Sequence, residues 1–89
     1  MFNIALKQSA AKSLKRLPLN YKSKIIECLH HLSEDPFPEG YDLKKLSGFK
    51  DFFRIRLGKY RIVYSVDLDN MVITIWFIGH RSKAYKGKR

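Results

Sequence analysis

FFRIRLGKYRIVYSV, residues 52–66, decides the fold. Phe53, Ile55 and Leu57 alternate with Phe52, Arg54 and Arg56; after Gly58-Lys59, Tyr60, Ile62, Tyr64 and Val66 alternate with Arg61, Val63 and Ser65. A period of two is a strand's period, and a two-residue loop with Gly first is the type II′ turn that closes an antiparallel hairpin. The turn also sets the register, because a slip of one residue would send every side chain to the other face. Leu57 is then expected opposite Tyr60, Ile55 opposite Ile62 and Phe53 opposite Tyr64, six side chains forming one apolar face. On the reverse face Arg56 is expected opposite Arg61, and Arg54 opposite Val63.

Further along, DLDN (67–70) reads as a four-residue turn and MVITIWFI (71–78) as a strand apolar on both faces, as a central strand is. Counting from that turn sets Val66 opposite Met71 and Arg61 opposite Trp76, with His80 on the parity of Trp76. Before residue 52, DPFPEGYD (35–42) is loop, and LKKLSG (43–48) continues it with at most a helical turn. Residues 2–7, FNIALK, alternate as a first strand. Ser9 is expected to cap a short helix to about Arg16, with Ala10, Leu14 and Leu17 as its apolar stripe. Pro18 and Asn20 break it, and a second helix runs to about Ser33 with Tyr21, Ile25, Leu29 and Leu32 inward and Lys22, Lys24, Glu27 and His31 outward. The order strand-helix-helix-strand-strand-strand predicts one α+β domain over residues 1–89, a helical hairpin packed on one face of a mostly antiparallel four-stranded sheet.

Charge narrows the function. In 89 residues, 18 Lys and Arg face 8 Asp and Glu, a net +10, and no acidic residue follows Asp69. A field of that sign suits nucleic acid or an acidic protein. Membrane binding would ask for a basic amphipathic helix with a large apolar face, whereas the charge here is densest in strand-like sequence, so no membrane partner is expected. The N-terminal stretch lacks the apolar run of a signal peptide, and Cys28 has no second cysteine to pair with, so a reducing cytoplasmic setting is expected. His30 and His31 project about 100° apart on a helix and read as solvated face. No HExxH, CxxC, P-loop or GxGxxG is present, so neither metal nor cofactor is expected.

Arg54, Arg56 and Arg61 converge on the face without helices. Like charges directly opposite on a sheet destabilise it, and no acidic neighbour is predicted, so an anionic ligand gives the arrangement its reason. Guanidinium forks grip phosphate bidentately. Lys59 and Lys83 extend the phosphate-binding set. His80 and Arg81 follow Gly79 at the strand end, and Tyr85 stands four residues on. Cutting RNA without metal requires activation of a 2′-hydroxyl, stabilisation of an anionic phosphorane and a proton for the leaving 5′-oxygen. The arginines suit the second task; His80 and Tyr85 are candidates for the first and third. Val63, Val72, Trp76 and Ile78 are expected on the same face as an apolar strip for an acidic partner's amphipathic segment.

The string LKKLSGFKDFFRIRLGKYRIVYSV (43–66), the apolar strand after it and then GHRSKAY (79–85) resemble the RelE toxins of the RelE/ParE superfamily. The likeness spans nearly the whole chain, and YRIVY with GHRxxxY in series is its specific part. It implies a compact ribonuclease of a type II toxin–antitoxin system that cuts messenger RNA in the ribosomal A site, without metal, by attack of the 2′-hydroxyl. It also implies restraint by an acidic antitoxin, with the toxin alone monomeric and the complex of higher order. The family's functional positions fall on Arg54, Arg56, Arg61, Arg81 and Tyr85. Well-known members have lysines where Arg54 and Arg56 stand, and arginine keeps its proton. Either His80 is the general base, or these arginines only bind phosphate. Two other readings stay open: a ParE-like toxin that poisons gyrase without cutting RNA, and a plain RNA-binding module, for which Phe52 and Trp76 are the main stacking surfaces.

Overall fold

The computed structural model describes residues 1–83. Its elements are β1 (Asn3–Leu6), α1 (Gln8–Arg16), α2 (Leu19–Glu34), β2 (Asp42–Lys45), β3 (Phe52–Leu57), β4 (Tyr60–Asp67) and β5 (Val72–His80). The sheet has five strands in the order β1-β5-β4-β3-β2, antiparallel except where β1 runs parallel to β5. The α+β class holds, with one strand more than expected: residues 42–45, read from sequence as loop, pair with β3. DLKK carries no apolar period because it lies at a sheet edge, where charged side chains also discourage pairing with another chain.

The central hairpin follows the turn. Leu57 faces Tyr60, Ile55 faces Ile62, Phe53 faces Tyr64, Arg56 faces Arg61 and Arg54 faces Val63. Positive φ falls on Gly58 (59°) and not on Lys59, as a type II′ turn requires. The next register differs from expectation. Val66 faces Ile73 rather than Met71, and Arg61 faces Gly79 rather than Trp76. A bulge opposite Val63 and Tyr64 leaves Trp76 as the extra residue, since Val63 pairs with Phe77 and Tyr64 with Ile75. It exists because Ile73, Ile75 and Ile78 are all fully buried under the helices, and a spacing of three cannot reach the same face without an inserted residue.

The core lies between that face and the helices: Ala10 from α1, Ile25, Cys28, Leu29 and Leu32 from α2, and Ile55, Ile62, Tyr64, Val66, Ile73, Ile75 and Ile78 from the sheet. Cys28 is a packing residue, its thiol pushed up to about 12 by burial. Helix α1 starts one residue before Ser9, with Lys7 at the N-cap position and no side-chain cap, so Ser9 does not cap it. His31 is half-buried rather than on the wet face, its Nδ1 2.7 Å from the Tyr41 hydroxyl. The Tyr64 hydroxyl donates to the Pro36 carbonyl (2.7 Å), tying the proline-rich loop beneath the sheet. Among the described residues no helix is long and apolar enough to cross a membrane.

Candidate functional site

Strand alternation carries Phe52, Arg54 and Arg56 of β3, Arg61, Val63 and Ser65 of β4, and Val72, Thr74 and Trp76 of β5 to the face without helices. The bulge adds Phe77 and Gly79 to it. Gly79, next to Arg61 across the strands, has no room for a side chain: a Cβ there would stand 2.7 Å from the Phe77 ring.

The three arginines do not share one environment. Arg54 is 7% exposed, and its Nη1 donates to both the main-chain carbonyl and the carboxylate of Asp42, each at 3.1 Å. Arg56 reaches the other Asp42 oxygen at 3.8 Å, a looser contact. The expectation that no acid stands beside the arginines is therefore corrected: Asp42 does, brought there by the edge strand β2, where it pairs with Arg56. Its carboxyl is held below the usual carboxylate range, first by the hydrogen bond from Arg54 and then by the charges of Arg54, Arg56 and Lys44. One acid cannot neutralise three guanidinium groups. Arg61 has no anionic partner among the described residues, and its Nε and that of Arg56 are buried without a hydrogen-bond partner. Burial, with the charges of Arg54 and Arg56 added, pulls the Arg61 pKa down from its ordinary value. A partly desolvated cation with an unsatisfied donor is chemically suited to an oxyanion.

The positive track continues toward the β3–β4 turn. The Arg81 amide donates to the Lys59 carbonyl (2.7 Å), which brings the end of β5 beside that turn, and Lys59, Arg81 and Lys83 are all exposed there. His80 is displaced from its expected place. It pairs with Tyr60, their rings meeting edge-on at 5.9 Å, so the bulge has turned it to the helical side rather than the face of Arg61 and Trp76. Its Nδ1 accepts from the Ser82 amide (3.1 Å), and the Ser82 hydroxyl lies 2.7 Å away, which puts the ring proton on Nε2. Tyr85 lies outside the described residues.

The expected apolar strip is largely closed. Ile78 is fully buried in the core on the helical side, and Val63 is 1% exposed between Arg54 and Phe77, its cross-strand neighbours. Val72 and Trp76 remain half-buried. Trp76 donates from Nε1 to the Ser65 hydroxyl (2.8 Å), with the Lys7 ammonium 4.6 Å from its ring centre and the Phe52 ring 5.5 Å away. Sequence reasoning missed Asp42 and Lys7, because β2 carries no apolar period and the alternation of β1 does not say which strand it pairs with. Among the described residues no group of His, Cys, Asp or Glu is placed to hold a metal ion. Two concavities, one beside the β4–β5 turn and one between β1 and α2, lie away from the arginines.

The profile of one protein family, described as the ParE toxin of the type II toxin–antitoxin system parDE, matches residues 4–85. A Methanocaldococcus jannaschii protein that bears the name toxin RelE1 is 37% identical over 86 residues, covering 96% of each chain. Toxin RelG of Mycobacterium tuberculosis is 26% identical over 87 residues, 96% of this chain and 97% of that one. Among solved structures, the archaeal RelE–RelB complex from Pyrococcus horikoshii aligns with a TM-score of 0.82 at 32% identity, covering 93% of this chain and 98% of the other.

Proposed function

We propose that this chain, a RelE-type toxin belonging to the RelE/ParE superfamily of type II toxin–antitoxin systems, is a metal-independent endoribonuclease that cuts messenger RNA in the ribosomal A site. The observation that carries this reading is Arg61, a half-buried guanidinium without a counter-ion among the described residues, facing a second arginine whose Nε is likewise unsatisfied there. In the proposed reaction the 2′-oxygen forms a bond to phosphorus and the bond from phosphorus to the 5′-oxygen breaks. The 2′-hydroxyl proton goes to a base, and a proton from an acid reaches the 5′-oxygen, leaving a 2′,3′-cyclic phosphate and a 5′-hydroxyl. Arg56 and Arg61 offset the charge that builds on the non-bridging oxygens. Arg54, already bound to Asp42, fixes the edge of the site, while Arg81, Lys59 and Lys83 grip flanking phosphates. No arginine is a workable base. Proton transfer falls to Tyr85, or to His80, which lies on the helical side at the end of β5 and must turn toward Arg61 to act, its Nε2 having no hydrogen-bond partner among the described residues.

An acidic antitoxin in the cytoplasm would neutralise the same face, with Val72 and Trp76 as the apolar contacts left to it; the Pyrococcus relative was solved with RelB. The toxin alone is read as a monomer that enters a higher-order complex. Arg61→Ala should lower cleavage of ribosome-bound message about a hundredfold while the protein stays folded. His80→Gln and Tyr85→Phe, compared in pH–rate profiles, should show which of the two loses a limb. Undiminished cleavage and growth arrest in Arg61→Ala would remove Arg61 from the centre. A second reading, a ParE-like gyrase poison, is favoured by the family's own description; it predicts arrest that survives Arg61→Ala with messenger RNA intact.

A further inference from the structure

We propose that Phe49, Phe52 and Trp76 form a nucleobase-stacking subsite for single-stranded RNA, next to the phosphate-gripping arginines. The proposal rests on the ribonuclease reading for its ligand and goes beyond it in placing the bases. The Phe49 and Phe52 rings are 5.5 Å apart, and the Phe52 and Trp76 rings also 5.5 Å apart, giving a continuous aromatic strip. All three side chains are half-buried, and none belongs to the core, which lies on the other side of the sheet. The outer face of an antiparallel sheet that meets only water is ordinarily polar. Here the bulge and the Ser65 hydroxyl hold the indole in a fixed plane.

The strip and the arginines form one track. Phe52, Arg54 and Arg56 occupy alternate positions of β3, so Phe52 and Arg56 are about 13 Å apart at about 3.3 Å per residue. A strand with one phosphate at Arg56 and Arg61 thereby leads its neighbouring bases toward Phe52 and Trp76. Lys7 supplies a further element. Its ammonium sits over the indole, 4.6 Å from the ring centre, the place a base would take, so a base that displaces it leaves a cation beside the strip. The aliphatic side chains expected on this face are closed off, Val63 beneath its neighbours and Ile78 in the core. Among the described residues, the half-buried and exposed side chains on and beside the strip include aromatic rings and cations, which matches single-stranded nucleic acid.

Trp76 is the chain's one tryptophan, so its fluorescence reports on the subsite directly. The probe is a 2′-O-methyl oligoadenylate, which has no 2′-hydroxyl to react. It should quench Trp76 saturably, an abasic chain of equal length should bind at least tenfold more weakly, and Phe52→Leu should weaken the oligoadenylate about tenfold. Phe49→Leu, in the loop before β3, gives the same reading should Phe52→Leu fail to fold. Equal binding of the abasic chain would overturn the proposal, as would quenching by an acidic Glu/Leu amphipathic peptide but not by the oligonucleotide. Cleavage assayed on the same preparations separates the two claims. Base-dependent quenching in a protein that cuts nothing leaves the subsite standing without the ribonuclease; cutting without quenching removes the subsite alone.

Discussion

Arg54 and Arg61 share a residue type and a sheet face, yet Asp42 gives them different surroundings. Arg54 is buried, with its charge answered by the Asp42 carboxylate and carbonyl; Arg61 is half-buried, with no anionic partner among the described residues. The difference was not legible in the sequence, because it depends on residues 42–45 being a strand. Asp42→Asn tests it in two ways. The folded carboxyl titrates below its ordinary value, near 3.9 in an unfolded chain, so its stabilisation is present above that pH and lost as pH falls through the lower, folded value. Wild type should therefore melt above Asp42→Asn at neutral pH, and the gap should close in acid. The variant should also bind single-stranded RNA more tightly and with a steeper salt dependence, by roughly one phosphate contact. A melting gap that persists unchanged at pH 2 would contradict the pairing.

Strand β5 shows what an element's sequence can hide. The hairpin of β3 and β4 was readable to the residue because its apolar and polar positions alternate and a glycine fixes its turn. MVITIWFI, apolar at nearly every position, carries no parity, so nothing in it announced that Trp76 is an extra residue. That one bulge moved Arg61 opposite Gly79, sent Ile78 into the core and turned His80 away from the arginines. It also set Phe77 on the open face, where its ring occupies the space a Gly79 side chain would need. Gly79→Ala should push that ring aside beside Arg61, costing about 1–2 kcal/mol of stability, as overpacking does, and lowering cleavage beyond what the lost stability explains. Thermal melts and single-turnover rates check both. A variant as stable and as active as wild type would show that Phe77 yields freely.

At the scale of the whole sheet, the described charges are unevenly placed. Asp51, Asp67 and Asp69 lie at the end of the β4–β5 turn, whereas Arg56, Lys59, Arg61, Arg81 and Lys83 gather toward the β3–β4 turn. The net +10 was legible from composition, and the convergence of Arg54, Arg56 and Arg61 from the hairpin register. The aromatic strip was only half legible, because the contact of Phe49 with Phe52 depends on how the loop before β3 folds back. On the proposed reading RNA and an acidic antitoxin meet the same basic end, so the two should compete and their association should slow as salt rises. The most direct measurement is to add the purified toxin to translating ribosomes programmed with a defined message and map the new RNA ends. The account predicts cuts within the A-site codon leaving a 2′,3′-cyclic phosphate and a 5′-hydroxyl, lost on adding the antitoxin and in Arg61→Ala. Intact message under a toxin that still arrests growth would contradict it.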